Sequence, residues 1–171
     1  MTDFKIATET GGLNQALFSV THGLYILTSR VGEKINGQCL DSLMQVTSMP
    51  PRLAIGVGKR SLTHEMIMES GIFVANAIDR GCPACYDDVR RFGFQSGRKV
   101  DKFADRACQP GELGAPVIPE ALAFFECRVI REMMLDLGTH TLFVAEVKRA
   151  GTHDSGEPLT YNEYRRVMKK K

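Results

Sequence analysis

Residues 53–78 read LAIGVGKRSLTHEMIMESGIFVANAI, and the fold turns on how this stretch is parsed. Leu53, Ile55 and Val57 alternate with small residues, the period of a strand with one apolar face. On the other face Ala54, Gly56 and Gly58 let something approach the backbone closely. Ser61 then stands where a helix N-cap belongs, LTHEMIMES places Leu62, Met66 and Glu69 on adjacent turns, and Gly71 sits at the C-terminal cap. IFVANAI (72–78) returns to the strand pattern. The stretch therefore predicts a strand, a short capped helix and a second strand.

Strands dominate on either side. LYILTS (24–29) leads through the turn-like RVGEKING into a longer extended segment, QCLDSLMQVTS (38–48). The double proline of SMPPR cannot donate to a ladder, so it should close that segment or lie at a rim. Downstream, AFFECRVIREMML (123–135) and HTLFVAEVKRA (140–150) read as long strands, the second with Thr141, Phe143, Ala145 and Val147 on one face. NQALFSVTHG suggests an early helix ending at Gly23, while residues 81–119 weaken into short helical turns and loops. Many strands, a few short helices and frequent turns imply a mainly β fold, a closed antiparallel barrel with helical decorations.

The chain has 171 residues and is 43% hydrophobic, enough for one substantial core, so a single domain over 1–171 is expected. Its 22 basic and 20 acidic residues nearly cancel, leaving no broad field to recruit nucleic acid or a membrane surface. The concentrated basic tail RRVMKKK reads as a solvated terminus. No apolar run reaches membrane-spanning length, and MTDFKIATETGG lacks the basic and apolar regions of a signal peptide, so a cytoplasmic protein is expected. Five cysteines are an odd number for a disulfide framework. There is no internal repeat and no low-complexity segment.

Three places carry candidate chemistry. In GKRSLTH (58–64), Lys59 and Arg60 bring positive charge while Ser61 and Thr63 bring hydroxyls to a helix N-terminus with free N–H groups, a phosphate cradle. The same residues also read as a capped surface helix with two solvated bases, and the stretch alone leaves both open. It is not a Walker loop, since the glycine spacing is absent. In NGQCLDSLMQVTS, the polar groups of Asn36, Gln38, Ser42, Gln45, Thr47 and Ser48 suit a planar ligand with polar edges, or simply an exposed strand. His140, between a glycine-containing turn and a strand, is a candidate catalytic group or an ordinary hydrogen-bonded histidine. No Ser–His–Asp order, HExxH motif or four-ligand zinc pattern is present.

Taken in order, GLYILTS, INGQCLDSLMQVTSMPPRLAIGVGKRSLTHEMIMESGIF, RRFGFQSGRKVDKF, GTHTLFVAEV and LTYNEYRRVMKKK resemble the flavin reductase family, nearest its ferric reductase, flavoredoxin and high-molecular-weight rubredoxin branch. The resemblance implies an antiparallel, Greek-key split β-barrel with short flanking helices that binds FMN. It implies that Lys59, Ser61, Thr63 and His64 hold the phosphate, and that the flavin ring rests against the strands of Thr28, Ser29, Asn36, Gln38, Asp41, Ser42, Thr47 and Ser48. His140 would stand near the reactive side of the flavin, where NAD(P)H or another donor approaches. The family is usually homodimeric, so Tyr161 and Tyr164 would complete a neighbour's pocket. The chain departs from the branch at His22, where a tyrosine is common, and at CLDS, where Asp41 replaces an asparagine. A cysteine often found near the flavin is replaced by Asn36, with Cys39 three residues on.

The resemblance implies an FMN oxidoreductase that takes electrons from NAD(P)H or a reduced carrier such as ferredoxin or rubredoxin and passes them to flavin, ferric iron or a small redox protein. A carrier without a nicotinamide site is the alternative, and a barrel that has lost flavin is a third. The family predicts no cysteines in GCPAC (81–85). Cys82 and Cys85 remain open as inert thiols, a redox dithiol, or half of a metal site completed by Cys39, Cys108, Cys127, His64 or a second copy.

Overall fold

In the computed structural model, which describes residues 3–168, the chain runs α1 (Thr10–Leu17), β1 (Tyr25–Val31), β2 (Lys34–Leu40), β3 (Leu43–Ser48), β4 (Pro51–Gly58), α2 (Leu62–Ser70), β5 (Ile72–Ala77) and α3 (Cys85–Phe94). It continues through β6 (Gln109–Pro110), β7 (Pro116–Val117), β8 (Ala123–Val129), a 3₁₀ turn at Arg131–Met133, β9 (Leu135–Asp136), β10 (His140–Thr152) and α4 (Tyr161–Met168). One eight-stranded antiparallel sheet follows the order β2-β1-β5-β8-β10-β4-β3, with β9 also paired to β10. Lys169–Lys171 of the basic tail lie outside the described residues.

The expected barrel is split. β2 and β3 end the pairing order yet are consecutive in sequence, so Asp41 and Ser42 connect two edges that no ladder joins among the described residues. The extended segment expected over 38–48 therefore breaks at this link. Ser42 explains the break: its Oγ donates to Gly56 O at 2.8 Å and its carbonyl accepts from Gly56 N at 3.0 Å. The linker is thus bound to β4 instead of continuing β2, with Ser42 packed directly over Gly56. The prolines close β3 as expected, although Pro51 also opens β4.

Alternation places the core. Leu53, Ile55 and Val57 of β4 join Leu27, Phe73, Cys127, Phe143 and Ala145 in a cluster inside the curled sheet, covered at one end by Ile67 of α2. The opposite face of β1 and β5 carries Ile26 and, just beyond, Ile78 into a second cluster with Val89 and Phe92 of α3, Phe103, Ile118 and Tyr164 of α4. Two apolar faces explain why residues 72–78 read as nearly continuous hydrophobic sequence.

The helix caps form as predicted: Ser61 accepts from His64 N at 3.1 Å, and Gly71 adopts the left-handed conformation (φ 69°) that a side chain resists. Other boundaries moved. The first helix spans 10–17, and the strand expected over 123–135 stops at Val129, where Ile130 opens a 3₁₀ turn. α3 gathers ten helical residues in a region expected to hold short helical turns and loops. No helix among the described residues is long and apolar enough to cross a membrane.

Loop 111–119 is held by side chains from the sheet. Asn76, 1% exposed, donates to Ile26 O at 3.0 Å and accepts from Ile118 N at 2.8 Å, while Thr28 Oγ1 donates to Pro116 O at 2.5 Å. Asn76→Ala would leave two buried backbone groups unpaired. It should lower stability in urea denaturation by about 2–4 kcal/mol, against about 0.5 kcal/mol or less for the exposed Thr47→Ala. A loss below about 1 kcal/mol would show that the loop is not anchored here.

Candidate functional site

The start of α2 meets the middle of β2 through one buried hydrogen bond: Asn36 Nδ2 donates to Thr63 Oγ1 at 2.9 Å, with both residues nearly inaccessible. A third segment, residues 95–102, closes over this junction. A side chain at Gly97 would overlap Asn36 Oδ1, so only glycine lets the loop pass so close. Lys102 crosses beneath, its Nζ donating to Gly37 O of β2 at 2.9 Å and to Phe92 O near the C-terminus of α3 at 3.1 Å. The second bond satisfies one of the carbonyls that a helix leaves without an internal partner.

Between these elements lies a cavity of about 220 Å³, lined by Asn36, Gln38, Arg60, Ser61, Thr63 and Lys102, with Gln95, Ser96 and Gly97 forming the outer wall. Its character follows from the groups that face it. Leu62 and Thr63 N–H precede the first intrahelical acceptor, and the positive end of the helix adds to the Arg60 and Lys102 charges. Gln38 Oε1 is buried and accepts no hydrogen bond from any described residue. One cavity thus combines a cationic end suited to an anion with an orphan acceptor suited to a ring N–H. Cys39 also lines it, but burial, with Asp41 adding, pushes its thiol up to about 12, so it is not a thiolate nucleophile at neutral pH.

The other expected residues fall elsewhere. Thr28 and Ser29 are fully buried, and their hydroxyls serve backbone carbonyls: Thr28 that of Pro116 and Ser29 that of Ile72, at 2.8 Å. They build the barrel and do not line the cavity. Asp41 and Ser42 form the β2–β3 link. Thr47 and Ser48 lie on exposed β3, Thr47 Oγ1 donating to Pro50 O. His64 is buried, its Nε2 2.8 Å from Thr141 Oγ1, with burial and then the nearby Lys59 holding its pKa below the ordinary histidine value. It ties α2 to β10.

Lys59 and His140 occupy the rim beyond the Gly58 turn. Lys59 Nζ pairs with Asp136 at 2.6 Å, its N–H bonds Thr139 O, and exposed His140 meets Thr139 Oγ1 through Nδ1 at 2.9 Å. Tyr164 is buried in its own chain and stacks on Tyr86, so it is not free to complete a neighbour's pocket. Cys82 and Cys85 are free thiols at the far end of α3, and no group of three or more His, Cys, Asp or Glu among the described residues could hold a metal.

Comparison with known proteins agrees with the motif order. The sequence pattern described as Flavin reductase like domain matches residues 17–168. The chain is 37% identical over 156 residues to a protein of Moorella thermoacetica named high molecular weight rubredoxin, covering 91% of this chain and 66% of that protein. It is 34% identical over 157 residues to an Archaeoglobus fulgidus protein named ferric-chelate reductase (NAD(P)H), covering 91% of this chain and 90% of the relative. Among solved structures, flavoredoxin from Methanosarcina acetivorans superposes with a TM-score of 0.76 at 31% identity, over 89% of this chain and 77% of its own.

The buried Lys102 makes the cavity sensitive to pH. Desolvation lowers its pKa from the ordinary lysine value to about 8. Above that pH the folded chain releases this proton while the unfolded chain, with its higher pKa, still holds it, so raising pH favours the folded state. Chemical denaturation should show stability rising as pH climbs above about 8, a rise that Lys102→Met lacks. Equal slopes in the two proteins would place the ammonium in a solvated setting.

Proposed function

The chain belongs to the flavin reductase family, and from that premise we propose that it holds FMN against β2 and the start of α2 and moves electrons through it. The observation that carries the reading is the buried, unpartnered Gln38 Oε1 in the same cavity as Arg60, Ser61, Thr63 and the first N–H groups of α2. These two ends fit the two chemical features of FMN, a phosphate and a planar ring edged with N–H and carbonyl groups. Arg60 and the helix N-terminus oppose the phosphate charge, Ser61 and Thr63 offer hydroxyls, and Gln38 accepts from the ring edge. When bound, the flavin takes up a hydride and returns electrons singly or in pairs, chemistry that belongs to the cofactor.

The protein's residues then position, shield and bias. Phe92 and Leu62 line the cavity with apolar surface that excludes water, and Lys102 places positive charge beside it, which favours added negative charge. His140 stands on the exposed rim at Gly58, within the polar group formed by Lys59, Asp136 and Thr139, and we assign it to donor approach. The donor in this reading is NAD(P)H or a reduced carrier, and the acceptor is free flavin, ferric iron or a small redox protein. The likeness to a flavoredoxin favours one second reading, a carrier that relays electrons between proteins without a nicotinamide site.

The test is a visible spectrum of anaerobically purified protein, titrated with FMN where flavin is lacking, then exposed to NADH and NADPH. Prompt bleaching is expected. Flavin that bleaches only with reduced ferredoxin or rubredoxin selects the carrier, and folded protein that neither contains nor takes up FMN overturns both readings. Gln38→Leu adds a sharper check, because Oε1 has no protein partner to lose. Fluorescence titration should show FMN affinity falling about tenfold, roughly 1.4 kcal/mol, with no loss of stability in the apoprotein.

We also propose that the chain forms a homodimer through β3. Among the described residues this strand pairs only with β4; it exposes Met44 and Val46, is followed by exposed Met49, and borders an apolar groove of about 470 Å³ lined by Tyr25, Leu43, Leu53, Phe125 and Val147. An unpaired edge beside exposed apolar residues is a surface that proteins ordinarily cover. Light scattering should give twice the chain mass, and the double substitution Met44→Glu, Val46→Glu should give the monomer. A wild-type monomer at micromolar concentration would remove the proposal.

A further inference from the structure

The two thiols of GCPAC are unused by the flavin reading, and the backbone between them has a definite form. Cys85 N donates to Cys82 O at 3.0 Å, closing a four-residue turn. Pro83 occupies its second position, where the fixed φ of proline suits a type I turn, and Ala84 has φ −82° and ψ −4°, close to the third residue of that type. Such a turn holds its first and last Cα atoms within about 7 Å, a separation that largely overlaps the span of a disulfide.

The two sulfurs differ in access. Cys82 is partly exposed, whereas Cys85 is 2% exposed and opens α3 among Ile26, Ile78 and Val89. Both line one small cavity with Asp79, Asp88 and Arg106. Burial, followed by the proximity of Cys82, raises the pKa of the Cys85 thiol, which assigns first attack to Cys82. The pair lies at the opposite end of α3 from the flavin cavity. Seven residues at about 1.5 Å rise put Cys85 roughly 10 Å along the helix from Phe92 in the cavity wall, and neither Cys82 nor Cys85 lines that cavity.

We propose that Cys82 and Cys85 form a reversible dithiol–disulfide site, separate from the flavin cavity, that exchanges with small-molecule disulfides and thiols. The Cys82 thiolate attacks one sulfur of a disulfide, forming a mixed disulfide and releasing one thiol. Cys85, as it loses its proton, attacks Sγ of Cys82, forming the internal bond and releasing the second thiol. The protein loses two electrons and two protons, the disulfide gains both, and excess thiol reverses each step.

The experiment uses the full chain, treated with a chelator, incubated with oxidised glutathione, and examined by intact mass and peptide mapping before and after dithiothreitol. Wild type should lose two hydrogens, retain no glutathione, map to a Cys82–Cys85 bond and return to the dithiol on reduction. Cys85→Ser should trap one glutathione on Cys82, and Cys82→Ser should carry none on Cys85. Stable glutathione on wild-type Cys82, both thiols unreacted while Cys39 or Cys108 oxidises, or zinc or iron retained by the pair would each overturn the proposal. If Cys85→Ser does not fold, Cys85→Ala replaces it, and the wild-type map alone still decides.

Discussion

The hydrogen bond from Asn36 to Thr63 joins a barrel wall to the first turn of a helix, and the candidate site depends on that junction. It fixes the angle at which α2 meets β2, and therefore where the free N–H groups at the helix start are aimed. An amide and a hydroxyl that satisfy each other in the interior are costly to separate, because each would then be buried without a partner. Gly97 shows how closely the third wall is fitted, since its backbone lies where any larger residue would strike Asn36. The cavity is thus preorganised by hydrogen bonds and close packing among the residues that line it.

Lys102 gives this arrangement its electrostatic character. Its ammonium is spent on two carbonyls, one from β2 and one from α3, and no carboxylate among the described residues pairs with it. A buried cation held only by dipoles favours negative charge nearby, which suits a cofactor that carries a phosphate and gains electrons. Elsewhere charge is handled conventionally: Arg106 pairs with Asp88 at 2.8 Å and with Glu120 at 2.8 Å, and Arg149 pairs with the buried Glu126 at 2.7 Å.

The same sheet serves two cores, and this explains both the success and the limits of reading the strands. β4 and β10 alternate plainly, and Leu53, Ile55, Val57, Phe143 and Ala145 lie inside as their spacing predicts. Thr28 and Ser29 have the polarity of ligand-binding residues, but β1 is buried on both faces, and their hydroxyls satisfy loop and strand carbonyls. His64 is likewise polar, close to the helix N-terminus, and turned away into a bond with Thr141. Polarity announces a hydrogen-bonding need and does not say whether protein or ligand meets it.

What the sequence by itself determined is local: the caps at Ser61 and Gly71, the strand alternation around them, and the concentration of Arg60, Ser61 and Thr63 at a helix start. These follow from interactions within a few residues, where backbone sterics and periodicity leave little choice. The order of its motifs also carried the flavin reductase resemblance. Only the tertiary structure decided which polar groups meet: Asn36 with Thr63, 27 positions apart, and Lys102 with Gly37, 65 apart. It also decided that the barrel stays split at Asp41–Ser42, that Lys102 enters the site, and that Cys82 and Cys85 lie at the other end of α3. Those outcomes depend on how elements pack, and packing between distant segments leaves no period or spacing in the chain that encodes it.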